Sequence, residues 1–170
     1  MSENRFVTLS SCRNKNYRNN DYRNNGGFTL VELLIVIIIV SLLAMVAVPS
    51  YNKSVSKARR ADAQGSLSNL AGAMERFFTE NGTYIGAAGT VGTPTATGAP
   101  WVYHSQSPVD GNVKFYNLTI EVATAGAYTL RATPIGGQVD DGYLELLSTG
   151  VERWDRNNDG DTADADEDHW

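Results

Sequence analysis

The segment Gly26–Pro49 reads GGFTLVELLIVIIIVSLLAMVAVP and contains one charged residue, Glu32. Its apolar part runs from Phe28 to Val48. At about 1.5 Å per residue, a helix of that length would cross a hydrocarbon core of about 30 Å. A carboxylate is costly in lipid and normally marks a pairing partner or a function. The segment therefore predicts a membrane-spanning helix that carries one functional charge near its start.

The motif at residues 27–32, Gly-Phe-Thr-Leu-Val-Glu, followed by an aliphatic run and Pro49, resembles the signature of type IV prepilins. The resemblance implies that a prepilin peptidase cuts after Gly27 and that the new N-terminal residue, Phe28, is then N-methylated. One alternative is an ordinary signal anchor with an accidental glutamate. An ordinary secretory signal fits less well, because its apolar region is usually about 7–15 residues long.

The charge of Glu32 has a consequence for assembly. A carboxylate buried among bundled apolar helices must be paired, because an unpaired buried charge is strongly destabilising. The resemblance implies that the α-amino group of a neighbouring Phe28 is the partner. Such a pair would set the register between subunits, since a subunit docked one step out of place would leave the charge unsatisfied.

Charge is distributed unevenly on the two sides of the cleavage point. The leader, residues 1–27, is basic, whereas the rest of the chain holds 9 of the 14 basic and 17 of the 19 acidic residues, a net charge of −8. Basic residues before an apolar segment stay cytoplasmic, so residues 28–50 should span the membrane and residues 51–170 should form an external head. The acidic head argues against nucleic acid as a main ligand. The leader shows no apolar periodicity and is predicted to be disordered; Met1 need not be the true start.

The single cysteine, Cys12, lies in the leader, so no disulfide can form within residues 28–170. This departs from many type IVa pilins, which close their C-terminal region with one disulfide. Another interaction must hold that region here, or the region is looser.

An amphipathic helical pattern continues after Pro49 and ends near Glu80-Asn81-Gly82, where Asn and Gly are typical of a C-cap. Proline lacks an N–H and clashes with the preceding turn, so we expect a kink or local unwinding at Pro49. The apolar stripe predicted to face the core comprises Tyr51, Val55, Leu67, Leu70, Met74 and Phe77.

Residues 82–112 are rich in Gly, Thr, Ala and Pro and predict a long connection. Strand patterns follow at Val113–Val122, Tyr128–Thr133, Tyr143–Leu147 and Val151–Trp154. The prediction is an α+β fold in which the outer half of a long helix packs on a small antiparallel β-sheet. Residues 128–138 and 144–150 also resemble the sheet region of type IVa pilins.

The tail contains the spacing of a calcium-binding loop. Oxygen ligands at loop positions 1, 3 and 5, a glycine at 6 and a carboxylate at 12 are typical of an EF-hand loop, and the tail matches this pattern from residue 155 to residue 166. A helix cannot follow, since four residues remain. The alternative is a flexible acidic tail that keeps a filament soluble. The candidate calcium ligands are Asp155, Asn157, Asp159, Asp161 and Asp166.

We see no catalytic pattern, since His104 and His169 lie in no zinc or triad spacing, and we predict a non-enzymatic protein. The resemblance implies a self-polymerising subunit of a type IV pilus, used for adhesion, twitching motility or DNA uptake. It would be processed by a prepilin peptidase in the inner membrane and assembled by a platform protein and an ATPase into an extracellular filament. The alternatives are a pseudopilin of a type II secretion system and a minor tip subunit that binds a surface or DNA.

Overall fold

The computed structural model describes residues 27–164, 166–167 and 169–170, so the predictions for the leader lie outside the described residues. Its first element is the helix α1, Leu30–Asn81, which is long and apolar enough in its N-terminal part to cross a membrane, judged by length and composition. The helix ends where the sequence predicted. Gly82 adopts a φ of 71°, and its N–H donates to the carbonyl of Phe78 at 2.7 Å, which closes the last turn.

The helical assignment continues through Pro49, so the predicted local unwinding at this residue is not observed. Proline removes one N–H donor from a helix of 52 residues, and the bonds of the neighbouring turns remain. Contacts divide the chain between Leu42 and Leu43 into two units. In the first unit, the helical residues 30–42 are all exposed.

The second unit contains two antiparallel sheets. A small hairpin pairs β1, Ala88–Thr90, with β2, Thr93–Thr95, inside the stretch predicted to be a plain connection. The main sheet has the order β3-β4-β5-β6-β7. Its strands are β3, Gln106–Ser107; β4, Tyr116–Ala123; β5, Tyr128–Pro134; β6, Leu144–Leu147; and β7, Glu152–Trp154.

The core lies between the second half of α1 and one face of this sheet. Leu67, Leu70 and Met74 are fully buried, and they pack with alternate residues of the strands, such as Tyr116 and Leu130. Tyr51 is 70% exposed, so its predicted place in the core stripe is wrong. The predicted α+β fold is confirmed, and the acidic residues near the C-terminus follow directly on β7.

A 3₁₀ helix, Gly136–Asp141, connects β5 to β6, between two of the strands that the sequence predicted. It lies against α1, because the Gln138 side-chain amide donates to the carbonyl of Ser56 at 3.1 Å. This connection places Asp141 beside α1, where its carboxylate reaches Arg60.

Candidate functional site

The apolar segment at the start of α1 is exposed along its whole length. Every large hydrophobic side chain from Phe28 to Val48 lies at the surface, and Phe28 itself is 88% exposed. A contiguous apolar surface of this size marks a surface that another molecule or a membrane covers. Gly27 and Phe28 precede the helix in exposed backbone without regular secondary structure, where a peptidase can reach the bond between them.

Glu32 caps the helix in which it lies. Its Oε2 accepts hydrogen bonds from the backbone N–H of Thr29 at 2.9 Å and from the Thr29 hydroxyl at 3.0 Å. The Glu32 N–H donates in return to the Thr29 hydroxyl at 3.1 Å. This reciprocal pair is a capping box. The sequence analysis missed this second role of Glu32, although the spacing Thr-x-x-Glu before an apolar run is its known signal.

A cluster of four residues, which we call the Arg60 cluster, joins α1 to the sheet. The Arg60 guanidinium pairs with both carboxylate oxygens of Asp141, and its Nε lies 2.9 Å from one of them. The Tyr116 hydroxyl donates to the same carboxylate at 2.5 Å. Trp154 completes the cluster, because Arg60 lies 3.6 Å over its ring and its indole N–H donates to the Asp141 carbonyl at 2.7 Å.

The Arg60 cluster ties parts of the C-terminal region to α1, in a chain whose residues 28–170 contain no cysteine. Asp141 lies at the end of the 3₁₀ helix and Trp154 at the end of β7, so one side chain of α1 holds two parts of the C-terminal region. Burial and the neighbouring Asp141 carboxylate both raise the pKa of Tyr116 above its ordinary value. Tyr116 is therefore neutral and able to donate over the whole physiological pH range.

The tail loop, residues 155–167, is organised around a buried carboxylate. The Asp155 side chain accepts hydrogen bonds from the N–H groups of Asp159 and Gly160 at 3.0 and 3.2 Å. Its backbone N–H donates to the Tyr143 carbonyl at 3.0 Å, and its own carbonyl lies against Gly142. Asp155 is 0% exposed, so the first residue of the predicted calcium loop is part of the packed head.

A second buried carboxylate, Glu167, closes the tail loop. One of its oxygens accepts the N–H groups of Arg156 and Asn157 at 2.9 and 3.4 Å, and the other accepts that of Asp164 at 3.4 Å. Its carbonyl also accepts the N–H of Trp154 at 3.1 Å, which extends the edge of β7. The sequence analysis did not single out Glu167, because its burial depends on loop N–H groups that only the folded backbone brings together.

The predicted calcium ligands are only partly brought together. The Asn157 side-chain amide donates at 2.9 Å to Asp159 and to Asp164. Asp161 is exposed, and Asp166 points outward, with its side chain 70% exposed and 3.5 Å from Arg156. Within the part of the chain that the structure describes, no group of three or more His, Cys, Asp or Glu residues has the arrangement needed to hold a metal ion. The loop is instead held by backbone N–H groups that donate to Asp155 and Glu167.

Two family models match the chain. A model described as the prokaryotic N-terminal methylation motif matches residues 22–48. A second, described as the type IV minor pilin ComP, DNA uptake sequence receptor, matches residues 49–143, more than half of the chain. The chain belongs to the type IV pilin family. This family assignment confirms the resemblance noted at residues 27–32, and the exposed apolar helix and antiparallel sheet of this pilin agree with it.

Two relatives among well-characterised proteins match parts of this pilin. The type IV major pilin protein PilA of Myxococcus xanthus is 34% identical over 79 residues, which are 46% of this chain and 36% of that protein. The fimbrial protein EcpC of Eikenella corrodens is 30% identical over 93 residues, covering 42% of this chain and 61% of that protein. The pilin therefore spans less than two thirds of the length of each relative.

One solved structure resembles this pilin at low sequence identity. The non-core minor pilin PilV of Neisseria meningitidis shows 16% identity and a TM-score of 0.43, and the match covers 65% of this chain and 96% of that chain.

Proposed function

We propose that this pilin is a non-catalytic building block of a type IV pilus and that it polymerises with copies of itself. The proposal rests chiefly on the exposed apolar helix that carries Glu32 and directly follows Gly27 and Phe28. Such a helix is stable either in a membrane or bundled with other helices, because both remove its apolar side chains from water. As a prepilin, the chain would hold this helix in the inner membrane. In an extracellular filament, the helix would be bundled with those of other subunits.

Glu32 would have two successive partners in this pathway. Before assembly, Thr29 satisfies its carboxylate through the capping box. After cleavage, the new amino group of Phe28 in a neighbouring subunit would offer a cation, which a buried carboxylate needs more than a neutral donor. A prepilin peptidase, an assembly platform and an ATPase would act on the chain in turn. Adhesion, twitching motility and DNA uptake all remain open as uses of the filament.

The processing step gives a direct test of the proposal. Filaments sheared from cells that express this chain should contain a subunit that begins at Phe28 and is heavier by one methyl group. Intact-mass spectrometry of the sheared material measures both features at once. Mature filaments built from chains that still carry residues 1–27 would contradict the proposed processing. A short periplasmic filament in place of surface fibres would favour a pseudopilin.

DNA binding by the head is a second candidate, favoured by the description of the family model that matches residues 49–143. Several cations of the head are engaged within the chain: Arg60 binds Asp141, Arg131 binds Glu145, and Lys114 binds two carbonyls. Phosphate contacts make DNA affinity strongly dependent on salt. Binding of duplex DNA that persists at physiological salt and is lost in Lys53→Ala/Lys57→Ala would support this role. Binding seen only at low salt would show that the head attracts DNA non-specifically, through phosphate charge alone.

We also propose, from the spacing of oxygen ligands, that the tail loop binds calcium. Asp155, Asn157 and Asp159 already lie close together, and Glu167 offers a further carboxylate in the same loop. Calcium takes 6–8 oxygen ligands. The exposed Asp161 and Asp166 would have to turn inward to complete such a shell. The test is whether calcium raises the melting temperature of the chain above its value in a chelator.

A further inference from the structure

An acidic groove of about 530 Å³ lies between α1 and the segments on either side of β3. Its helix wall is built by small or polar residues, and the opposite wall includes Tyr103 before β3 and Pro108 and Val109 after it. Two carboxylates, Asp62 and Asp110, line it, and both residues are exposed. Among the described residues, neither forms an ion pair.

The groove is a built feature, since hydrogen bonds fix its two walls. The Ser66 hydroxyl on α1 donates to the Ser107 hydroxyl at 3.0 Å, and both residues are buried. On the loop side, the Lys114 ammonium holds the carbonyls of Pro108 and Val109 at 2.6 and 2.9 Å. The Lys114 ammonium is therefore bound by two backbone carbonyls of this wall. The carboxylates of Asp62 and Asp110 are available to a cation from another molecule.

The same helix presents two uncommitted cations. Lys53 and Lys57 are exposed and form no ion pair within the described part of the chain. Arg59 and Arg60, which follow them, are occupied: one lies 3.8 Å over the Phe115 ring, and the other belongs to the Arg60 cluster. Lys53 and Lys57 share one helix face, because they are four residues apart.

The geometry points to a second copy of this chain as the occupant of the groove, with the Lys57 ammonium of one copy between Asp62 and Asp110 of the next. Five residues separate Lys57 from Asp62, which places them roughly 140° apart around the helix and about 7.5 Å apart along it. Two complementary surfaces on different sides of one molecule make a heterologous contact. Such a contact builds an open filament when the rotation between successive copies does not close into a ring.

This inference rests on the proposed function and deepens it by naming the contact between heads.

Charge reversal tests the contact in whole filaments. Lys57→Glu and Asp62→Lys should each lower the yield of sheared filaments at least about tenfold, because positions 57 and 62 of neighbouring copies would then carry like charges. The double variant Lys57→Glu/Asp62→Lys should restore the yield. Glu80→Lys is a matched control, since it makes the same charge change at an exposed position of α1 outside the groove.

Engineered cysteines test the distance directly, because residues 28–170 contain no cysteine. Within one chain, positions 57 and 62 lie ~8.6 Å apart between Cα atoms on an ideal helix, beyond the reach of a disulfide. Filaments of Lys57→Cys/Asp62→Cys should therefore form a ladder of covalent multimers on oxidation. Lys57→Cys alone and Lys57→Cys/Glu80→Cys should form none.

The outcomes separate the inference from the function on which it rests. If the wild-type chain makes filaments, the absence of a ladder in Lys57→Cys/Asp62→Cys together with no effect of charge reversal would overturn the contact and leave the role as pilus subunit intact. If the wild-type chain makes no filament, the proposed function itself fails. A ladder in the first cysteine pair together with rescue by the double charge reversal would establish the contact.

Discussion

Arg60 and Asp141, 81 residues apart in sequence, form a two-pronged ion pair that is largely shielded from solvent, with side chains 17% and 11% exposed. The pair joins α1 to the 3₁₀ helix before β6, and stacking of Arg60 on Trp154 adds the end of β7. Residues 28–170 contain no cysteine, so this pair links α1 to the C-terminal part of the sheet without a disulfide. Its removal should loosen the C-terminal part of the sheet.

Arg60→Ala should lower the free energy of unfolding by about 3 kcal/mol, because it leaves Asp141 shielded without a cation. Arg60→Lys should recover only part of this loss, since an ammonium cannot reproduce the planar fork and the stacking on Trp154. Thermal unfolding of the detergent-solubilised chain, followed by tryptophan fluorescence, measures the difference. Arg76→Ala, at an exposed position of α1, is the control. Equal losses of unfolding free energy in Arg60→Ala and Arg76→Ala would show that the Arg60 cluster does not stabilise the head.

Gly142→Ala should destabilise the head more than Gly150→Ala. Both glycines have positive φ, 70° and 82°, so either substitution strains the backbone by about 1–2 kcal/mol. A Cβ at Gly142 would also lie 1.7 Å from the Asp155 carbonyl oxygen, whereas a Cβ at Gly150 would meet nothing within 4 Å. Melting temperatures of the two variants give the comparison. Similar losses would show that the start of the tail loop can move away from Gly142.

The end of α1 and the strand pattern could be predicted because their signals are local. Asn81 and Gly82 mark the helix end, and alternating apolar residues mark Tyr128–Pro134. The Arg60–Asp141 pair could not, since nothing near Arg60 in sequence identifies a partner 81 residues away. Glu167 was missed for a related reason. Its burial depends on N–H groups that the folded loop directs toward it, and these have no signature in residue type.

The head should lose stability as the pH rises above about 10, the ordinary value for tyrosine. Burial and the Glu75 carboxylate raise the pKa of Tyr128, and burial and Asp141 raise that of Tyr116. A pKa that is higher in the folded state means that the stabilisation is complete below the unfolded pKa and is lost as the pH rises through the folded one. Melting temperatures should therefore stay nearly constant from pH 8 to about pH 10 and fall above it, less steeply in Tyr128→Phe. Tyr51→Phe, at an exposed position, should leave the slope unchanged.

Calcium should raise the melting temperature if the tail loop binds it. A ligand that binds only the folded state adds about 2.7 kcal/mol at a hundred times its dissociation constant. Asp155→Ala will destabilise the head with or without calcium, because Asp155 accepts two backbone N–H groups. The informative variant is Asp161→Ala, whose exposed side chain accepts, among the described residues, only the Ala163 N–H, so it should reduce the calcium response far more than the melting temperature without calcium. Identical melting curves with calcium and with chelator would leave the loop held by its own hydrogen bonds.

Assembly through a charged pair at the start of α1 is the central claim, and Glu32→Gln tests it most directly. Glutamine can keep the capping box with Thr29 but carries no charge, whereas Thr29→Ala removes the hydroxyl and keeps the carboxylate. The measurement is the yield of sheared filaments from cells that cleave and retain each variant equally. We expect Glu32→Gln to lose most filaments and Thr29→Ala to keep most of them. Normal filaments from Glu32→Gln, with losses in Thr29→Ala, would show that Glu32 acts only as a helix cap.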